Sequence, residues 1–209
     1  GIKKIIPAPV KFIDIAGLVK GAHKGEGLGN KFLSYIRETD AIVHLIRAFE
    51  NQAVPHYYGS IDSERDKEIV DLELELAGIK KPTLYILNVS GGKVKKIESK
   101  SLEVNLKTGE GVDKLIKKAY QLLGLITFYT TKGGNEVRAW PIKRGATAKE
   151  AAATVHTDMA KGFIKAEAID WQDLVSLGSW LAAKKAGKIR VEGKNYQVQD
   201  GEVLEIKFH

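Results

Sequence analysis

The sequence predicts an α/β protein: a mostly parallel sheet with helices on both faces, followed by a small mixed-sheet domain. Short continuous apolar runs, typical of parallel strands covered on both faces, alternate with amphipathic helices in the first part. After Gly124 the order changes to a hairpin, a helix and several short strands. We therefore expect two domains, residues 1–124 and 125–209.

Composition is that of a globular protein and narrows the choice of partners. The 209 residues are 44% hydrophobic and 28% charged. The absence of cysteine excludes a disulfide framework, a thiol nucleophile and a thiolate metal site. Without an apolar run long enough for a membrane span, we expect a cytoplasmic protein with no membrane contact. The formal net charge of +7 favours polyanions such as RNA, although a merely soluble basic surface explains it equally well.

The first predicted unit consists of a strand, a glycine-rich loop, a helix and a second strand. We expect a buried strand over Val10–Ile15, followed by the loop that contains Asp14-Ile-Ala-Gly17. A helix begins near Asn30, because the apolar residues that follow share one face. The run Ala41–Ile46 predicts the next buried strand. This order is a βαβ unit.

The remaining elements of the first part follow the same alternation. Asp62 and Ser63 are good helix caps, and the helix they begin ends by Gly78. Its apolar residues at helical spacing are Ile69, Leu72 and Leu76. A third strand, Thr83–Leu87, ends at Asn88, and a further helix covers Val112–Leu123. Residues 91–108 show no sustained period.

The second part predicts a β-grasp arrangement. Strands at 126–130 and 137–142 flank a turn, which is a hairpin signal. Thr147-Ala-Lys-Glu150 is a capping box that begins a helix ending at about His156. Further strands are expected at 163–169, 188–191 and 203–208, and a single helix at 173–186.

The long stretch from Phe12 to Ile42 resembles the switch II segment of the YchF family, the Obg-like ATPases of the P-loop class. The resemblance continues through Arg47-Ala-Phe-Glu-Asn51, and the stretch from Leu123 resembles the family's terminal TGS domain. It implies Mg²⁺-dependent hydrolysis of the β–γ bond of ATP in preference to GTP. It also implies ribosomal subunits or their RNA as partners, with no sequence-specific DNA binding.

The resemblance assigns the phosphate end of the site to Asp14 and Gly17. Asp14 would face Mg²⁺, usually through water, and the Gly17 N–H would bind the γ-phosphate. Taken alone, they are a helix-capping aspartate and a turn glycine. No second histidine or carboxylate lies at ligand spacing, so we expect no metal site built by the protein alone.

His56 is the candidate catalytic residue. Leu18 follows Gly17 where many GTPases carry a glutamine that orients the attacking water, and leucine cannot do this. The family has a histidine on the loop after Phe-Glu-Asn, and His56 occupies that place. A neutral imidazole on a mobile loop can orient water, although an ordinary exposed loop histidine explains His56 equally well.

The resemblance assigns the base to Asn88 and the Val89 backbone. GTPases read guanine with a carboxylate three residues after this asparagine, and the family carries a glutamate there. Here that position is Gly91, which matches neither pattern. The sequence therefore lacks the carboxylate with which a GTPase would recognise guanine. An asparagine after a strand is also an ordinary turn residue.

Parts of the family pattern are absent from the sequence. It contains no Gly-x-x-x-x-Gly-Lys-Ser/Thr loop, so we expect poor nucleotide binding. The family's coiled-coil insertion is missing between Gly78 and Lys81. Two explanations of these gaps remain open. The sequence contains only some segments of a longer protein, or the protein is a truncated form. We expect slow hydrolysis, because no glutamine or arginine finger is visible. The alternative is an RNA- or ribosome-binding module in which nucleotide is a conformational ligand.

Basic residues of the second domain are candidates for contact with RNA phosphates. They are Arg138, Lys143, Arg144, Lys161 and Lys165. A solvated face explains each of them at least as well.

Overall fold

The computed structural model describes residues 4–15, 28–90, 101–132 and 136–209, which form two compact units. One unit comprises Lys11–Leu123. The other comprises Gly124–His209 together with Gly1–Val10. The sequence placed residues 1–124 in one domain, whereas here the first strand, β1 (Lys4–Ile6), pairs with the carboxyl-terminal sheet.

The unit Lys11–Leu123 is an α/β layer with a three-stranded parallel sheet in the order β2-β3-β4. Its elements are α1 (Leu28–Glu38), β2 (Ile42–Arg47), α2 (Ser63–Leu76), β3 (Thr83–Asn88), β4 (Ser101–Val104) and α3 (Val112–Leu122). Leu33 of α1 and Leu74 of α2 form one buried cluster with Ile42. On the opposite face, Leu115 of α3 packs against Ile86. The predicted α/β class, with helices on both faces of a parallel sheet, is confirmed.

The predicted strand over Val10–Ile15 is wrong. Residues 7–15 form no strand, and Phe12 and Ile13 are 49% and 52% exposed. A strand exists only where a neighbour satisfies its backbone hydrogen bonds. Among the described residues, no strand pairs with this segment. Of the predicted βαβ unit, only the helix and the second strand are present among the described residues. Strand β4 lies in the stretch 91–108, where the sequence shows no sustained hydrophobic period.

Helix α2 is confirmed, but its predicted apolar face is not the buried one. Its N-cap is Asp62, whose side chain accepts a hydrogen bond from the Arg65 N–H. Leu72 and Leu76 are half-exposed, whereas Leu74 is buried against α1. Because leucines lie on more than one side of this helix, the sequence pattern did not show which side is buried. In the structure the side with Leu74 packs against α1.

The second unit is a six-stranded mixed sheet in the order β1-β6-β5-β9-β7-β8. Beyond β1, its strands are β5 (Leu125–Lys132), β6 (Glu136–Lys143), β7 (Phe163–Asp170), β8 (Arg190–Glu192) and β9 (Glu202–Phe208). Its helices are α4 (Ala148–Val155), α5 (Thr157–Lys161), α6 (Trp171–Leu177) and α7 (Trp180–Lys185). Phe128 and Leu204 form the core with Ala151 of α4. The predicted hairpin and the Thr147–Glu150 capping box are confirmed.

The single helix expected at 173–186 is instead two short helices. Gly178 ends α6 with a positive φ of 75°, and the Ser179 side chain then caps α7 by accepting from the Ala182 N–H. The short helix α5 was not predicted. Within the described ranges, every helix is too short or too polar to cross a bilayer.

Candidate functional site

The carboxyl ends of β2 and β3 and the turn after β4 surround a shallow cavity of about 280 Å³. It is lined by Phe49, Glu50, Asn51, Asn88, Val89, Ser90, Asn105 and Lys107. This is the edge at which parallel α/β sheets bind ligands, because the loops after adjacent strands diverge there. The volume lies near the lower end of the roughly 300–1,000 Å³ typical of small-molecule sites. A base with part of its sugar fits such a volume better than a whole nucleoside triphosphate.

Asn88 and Val89, which the family resemblance assigns to base contact, line this cavity. The Asn88 Oδ1 accepts a hydrogen bond from the Leu106 N–H at 3.2 Å. The Val89 N–H donates to the Val104 carbonyl at 2.8 Å. The carbonyl of Asn88 accepts from the Ala48 N–H at 3.0 Å. The end of β3 is therefore fastened to both neighbouring loops. The Asn88 side-chain NH₂ can donate two hydrogen bonds, which suits the acceptor atoms of a base.

The turn after β4 brings Asn105 and Lys107 to the same cavity, which the sequence analysis missed. The Asn105 Oδ1 accepts from the N–H groups of Lys107 and Thr108, each at 3.1 Å. Its backbone N–H donates to the Glu110 carbonyl at 2.9 Å. An asparagine that hydrogen-bonds the backbone two and three residues on is a recognisable turn former. The segment Asn105-Leu-Lys-Thr-Gly109 carried that signal.

Arg47, at the end of β2, organises the loop that follows. Its guanidinium donates to three carbonyl oxygens, those of Phe49 (3.0 Å), Val54 (2.7 Å) and Asn51 (3.2 Å). It also lies 5.2 Å from the centre of the Phe49 ring. The loop is thus held by one cation bound to its backbone. In this arrangement the Arg47 guanidinium is bound to the backbone of its own loop.

His56 lines a second cavity of about 210 Å³, which shares Glu50 and Asn51 with the first. Its Nε2 lies 2.9 Å from Oδ2 of Asp66 in α2. Its Nδ1 accepts from the Tyr58 N–H at 3.3 Å. Since both ring nitrogens have partners, the imidazole is anchored rather than free. The sequence placed His56 on a mobile loop next to the nucleotide. Its catalytic role stays a prediction.

Asp14 is exposed in a segment without regular secondary structure, and Gly17 lies outside the described residues. Magnesium in nucleotide sites commonly takes only one or two carboxylates, together with waters and phosphates. The exposed carboxylate of Asp14 could supply one such ligand. Within the ranges that the structure describes, no three histidine or acidic side chains cluster closely enough to hold a metal ion on their own.

The basic residues proposed for RNA contact differ in their surroundings. Lys161 lies 3.9 Å from Asp158 in an exposed pair, and Lys165 lies 3.4 Å from Glu167. The Arg138 guanidinium stacks 3.8 Å above the Trp140 ring. Lys143 and Arg144 are exposed at the end of β6, and Arg138 and Lys161 are also exposed.

The parallel sheet with helices on both faces has the fold of the GTPase domains of P-loop proteins, and the matching family model agrees with this. A family model described as a 50S ribosome-binding GTPase matches residues 2–89. The carboxyl-terminal domain model of YchF GTPases, described as a protein of unknown function, matches residues 125–209.

The relatives give the family. The chain is 34% identical to the "Ribosome-binding ATPase YchF" of Bacillus subtilis, covering 99% of this chain and 83% of the relative. It is 32% identical to the protein of that name from Escherichia coli O157:H7, again over 99% and 83%. The structure of the Schizosaccharomyces pombe YchF GTPase superposes with a TM-score of 0.79 at 25% identity, covering 99% of this chain and 82% of that one. The chain belongs to the YchF family.

The relatives contain internal segments that this chain lacks. The alignment with the B. subtilis protein runs over 306 residues, more than the 209 residues of this chain. This difference supports the prediction that internal parts of the family pattern are absent here.

Proposed function

We propose that this protein is a ribosome-associated nucleotidase that hydrolyses ATP in preference to GTP and acts as a nucleotide-dependent switch. Relatives that are at least 80% covered by the chain carry the name ribosome-binding ATPase. The model that matches residues 2–89 describes a ribosome-binding GTPase, so the family names leave the base open. The preference for ATP rests on Gly91, because it provides no carboxylate to accept hydrogen bonds from guanine.

The observation that carries the proposal is the cavity at the strand ends. Asn88 and Val89 meet Asn105 and Lys107 there, although 15 residues or more separate the two pairs in sequence. Such convergence needs the parallel pairing of β3 with β4. An amide, a backbone edge and one cation can recognise a neutral base and the sugar or phosphate beyond it.

The residues at the phosphate end complete the proposed mechanism. Asp14 would hold Mg²⁺ through water, and the ion would neutralise charge on the β- and γ-phosphates. The Gly17 N–H would bind the γ-phosphate. His56 would orient the attacking water, because Leu18 cannot. We expect turnover to be slow, since no glutamine is in place to orient water and Arg47 is bound to its own loop.

We propose that residues 125–209, whose sheet β1 extends, are the TGS domain, and that the rest of residues 1–124, from Lys11 onward, is the nucleotide-binding domain. A mixed sheet with α4 packed across it fits the ubiquitin-like β-grasp arrangement. Four of the predicted basic residues are exposed and so accessible to ribosomal RNA phosphates, namely Arg138, Lys143, Arg144 and Lys161.

The second candidate is a ribosome- or RNA-binding module in which nucleotide is a conformational ligand. Two observations favour it: the sequence contains no Gly-x-x-x-x-Gly-Lys-Ser/Thr loop, and both nitrogens of His56 are bound to other groups. In that case nucleotide occupies the cavity and turnover is incidental.

His56→Ala separates the two candidates. ATP turnover and co-sedimentation with ribosomes are measured for both proteins, with His209→Ala as the control for removing an exposed histidine. If the nucleotidase proposal is right, turnover falls by roughly 10²-fold or more while ribosome binding is kept. Unchanged turnover shows that His56 is not catalytic. If the unmodified protein does not co-sediment with ribosomes, the ribosome is not its partner.

A further inference from the structure

The His56 imidazole is withdrawn from chemistry in the structure. A neutral imidazole has one N–H donor and one lone-pair acceptor in the ring plane. At His56 the lone pair of Nδ1 accepts from the Tyr58 N–H, so the proton lies on Nε2 and is donated to Asp66. No ring atom is then left to accept a proton from water or to donate to a phosphate oxygen.

Asp66 is itself fixed by its neighbour. The Arg65 guanidinium donates to Oδ1 of Asp66 at 3.1 and 3.2 Å, while Oδ2 faces His56. The same guanidinium donates to the Ser60 carbonyl at 2.7 Å and lies 5.0 Å from the centre of the Tyr58 ring. Side chains from the first turns of α2 therefore hold the loop at Tyr58, Ser60 and His56.

The contact between His56 and Asp66 is sheltered from solvent. The two side chains are only 16% and 17% exposed. Ion pairs and charged hydrogen bonds that water screens contribute little, whereas sheltered ones hold their geometry. The loop after β2 is therefore anchored at both ends, by Arg47 near its start and by Asp66 near its end.

We propose that Asp66 is a positioning residue that acts as a latch: it holds His56 and its loop against α2, and hydrolysis requires this contact to open. The inference rests on the proposed catalytic role of His56. When the latch opens, Nε2–H and Nδ1 become available together to a water near the γ-phosphate. Slow turnover then has a built-in cause, and a partner that displaces the loop would raise the rate.

The test uses Asp66→Ala, with Glu68→Ala as the matched control. Glu68 carries the same charge on the same helix, and its side chain is exposed. The protein is labelled uniformly with ¹⁵N, and His56→Gln assigns the His56 ring signals among those of the five histidines. Long-range ¹H–¹⁵N correlation spectra report the tautomer, and amide hydrogen exchange reports the Tyr58 N–H. Neither measurement needs nucleotide.

We expect the Nε2–H tautomer at His56 in the unmodified protein. Asp66→Ala should shift it toward a tautomer mixture and speed exchange of the Tyr58 N–H by about tenfold or more. Glu68→Ala should change neither. Asp66→Asn keeps an acceptor oxygen and should restore much of both signals. A His56 signal and Tyr58 exchange rate that are the same in Asp66→Ala as in the unmodified protein would overturn the latch.

Turnover gives the second readout. If Asp66 is a latch, Asp66→Ala raises kcat for ATP and leaves KM nearly unchanged. A fall in kcat would overturn the proposal, because Asp66 would then orient His56 for chemistry. If no variant hydrolyses ATP, the proposed function fails, while the tautomer and exchange data still decide whether the contact exists.

Discussion

The side chain of Asn88 accepts a hydrogen bond from the Leu106 N–H at 3.2 Å. One residue thereby joins the end of β3 to the turn that carries Lys107. Asn88 also lines the cavity, so it both shapes the proposed base site and is placed to contribute to it. A turn residue with no further role would not need this contact, which crosses 18 positions of sequence.

Asn88→Ala should weaken nucleotide binding and loosen the turn after β4. Loss of one neutral hydrogen bond costs about 1 kcal/mol, so we expect roughly fivefold weaker binding of ATP. Fluorescence titration with a labelled ATP analogue measures it, and amide exchange at Leu106 should rise in parallel. Asn195→Ala, an exposed asparagine of the second unit, is the control. Equal affinity in the two variants would show that Asn88 is only a turn residue.

Gly111→Ala should destabilise the same turn from the other side. Gly111 has a φ of 81°, and a Cβ there would lie 2.9 Å from the Glu103 carbonyl oxygen of β4. Strain of this kind costs about 1–3 kcal/mol. Gly109→Ala is the matched control, since Gly109 has a φ of 82° but nothing within 4 Å of its Cβ position. Urea unfolding should show a larger loss for Gly111→Ala. Equal losses would mean that the approach to Glu103 relaxes without cost.

His44 should make stability fall in mildly acidic solution. Burial lowers the pKa of His44 below its ordinary value of 6.5, and the Asp71 carboxylate, 3.8 Å away, opposes the shift only in part. Lys67 and Asp66 are the other charges that face it. Below about pH 6.5 the unfolded chain binds a proton at His44 more readily than the folded protein does. The free energy of unfolding therefore decreases as the pH is lowered.

His44→Leu should flatten that fall. Urea unfolding between pH 7.5 and 5 measures the slope, and His209→Leu, an exposed histidine, should leave it unchanged. A slope that is equally steep in His44→Leu would assign the acid sensitivity to other groups.

Glu202 holds the connection before β9. Its buried carboxylate accepts from the Tyr196 O–H at 2.7 Å, from the Gln199 N–H at 2.8 Å and from the Arg190 guanidinium. Burial, with the Glu202 carboxylate as the second cause, raises the pKa of Tyr196 from 10.0 to about 12. The stability that this gives is present below pH 10 and is lost as pH rises from 10 to 12.

Glu202→Gln should lower the free energy of unfolding by about 2 kcal/mol, since hydrogen bonds to a charged group are lost. The pKa of Tyr196 should move back toward 10, which ultraviolet titration of the tyrosines detects. Glu192→Gln removes another carboxylate that pairs with Arg190 and should leave Tyr196 unchanged. If Tyr196 titrates alike in both variants, Glu202 does not influence it.

Local signals predicted the elements that depend on a few neighbouring residues. Asp62 caps α2 and the Thr147–Glu150 box begins α4, because capping is a contact over three residues. The strand expected at Val10–Ile15 failed for the opposite reason. Its apolar run described a suitable strand, but a strand also needs a partner, which the run itself does not contain.

The sequence could predict only those site residues whose place along the chain matches a known pattern. Asn88 followed from the family resemblance, which places the base-contacting asparagine at the end of this strand. The tethering of His56 by Asp66 did not, since it depends on how a ten-residue stretch folds back on a helix. The same is true of Arg47, whose three carbonyl partners are set by the path of the loop.

The most direct test is a titration of the intact protein with MgATP and with MgGTP, followed by the backbone amide signals of Asn51, Val89 and Lys107. The proposed base site predicts that ATP shifts these three signals together, at lower concentration than GTP does, even if binding is weak. No shift at saturating millimolar nucleotide, or shifts confined to other residues, would contradict a nucleotide site at the carboxyl ends of β2, β3 and β4.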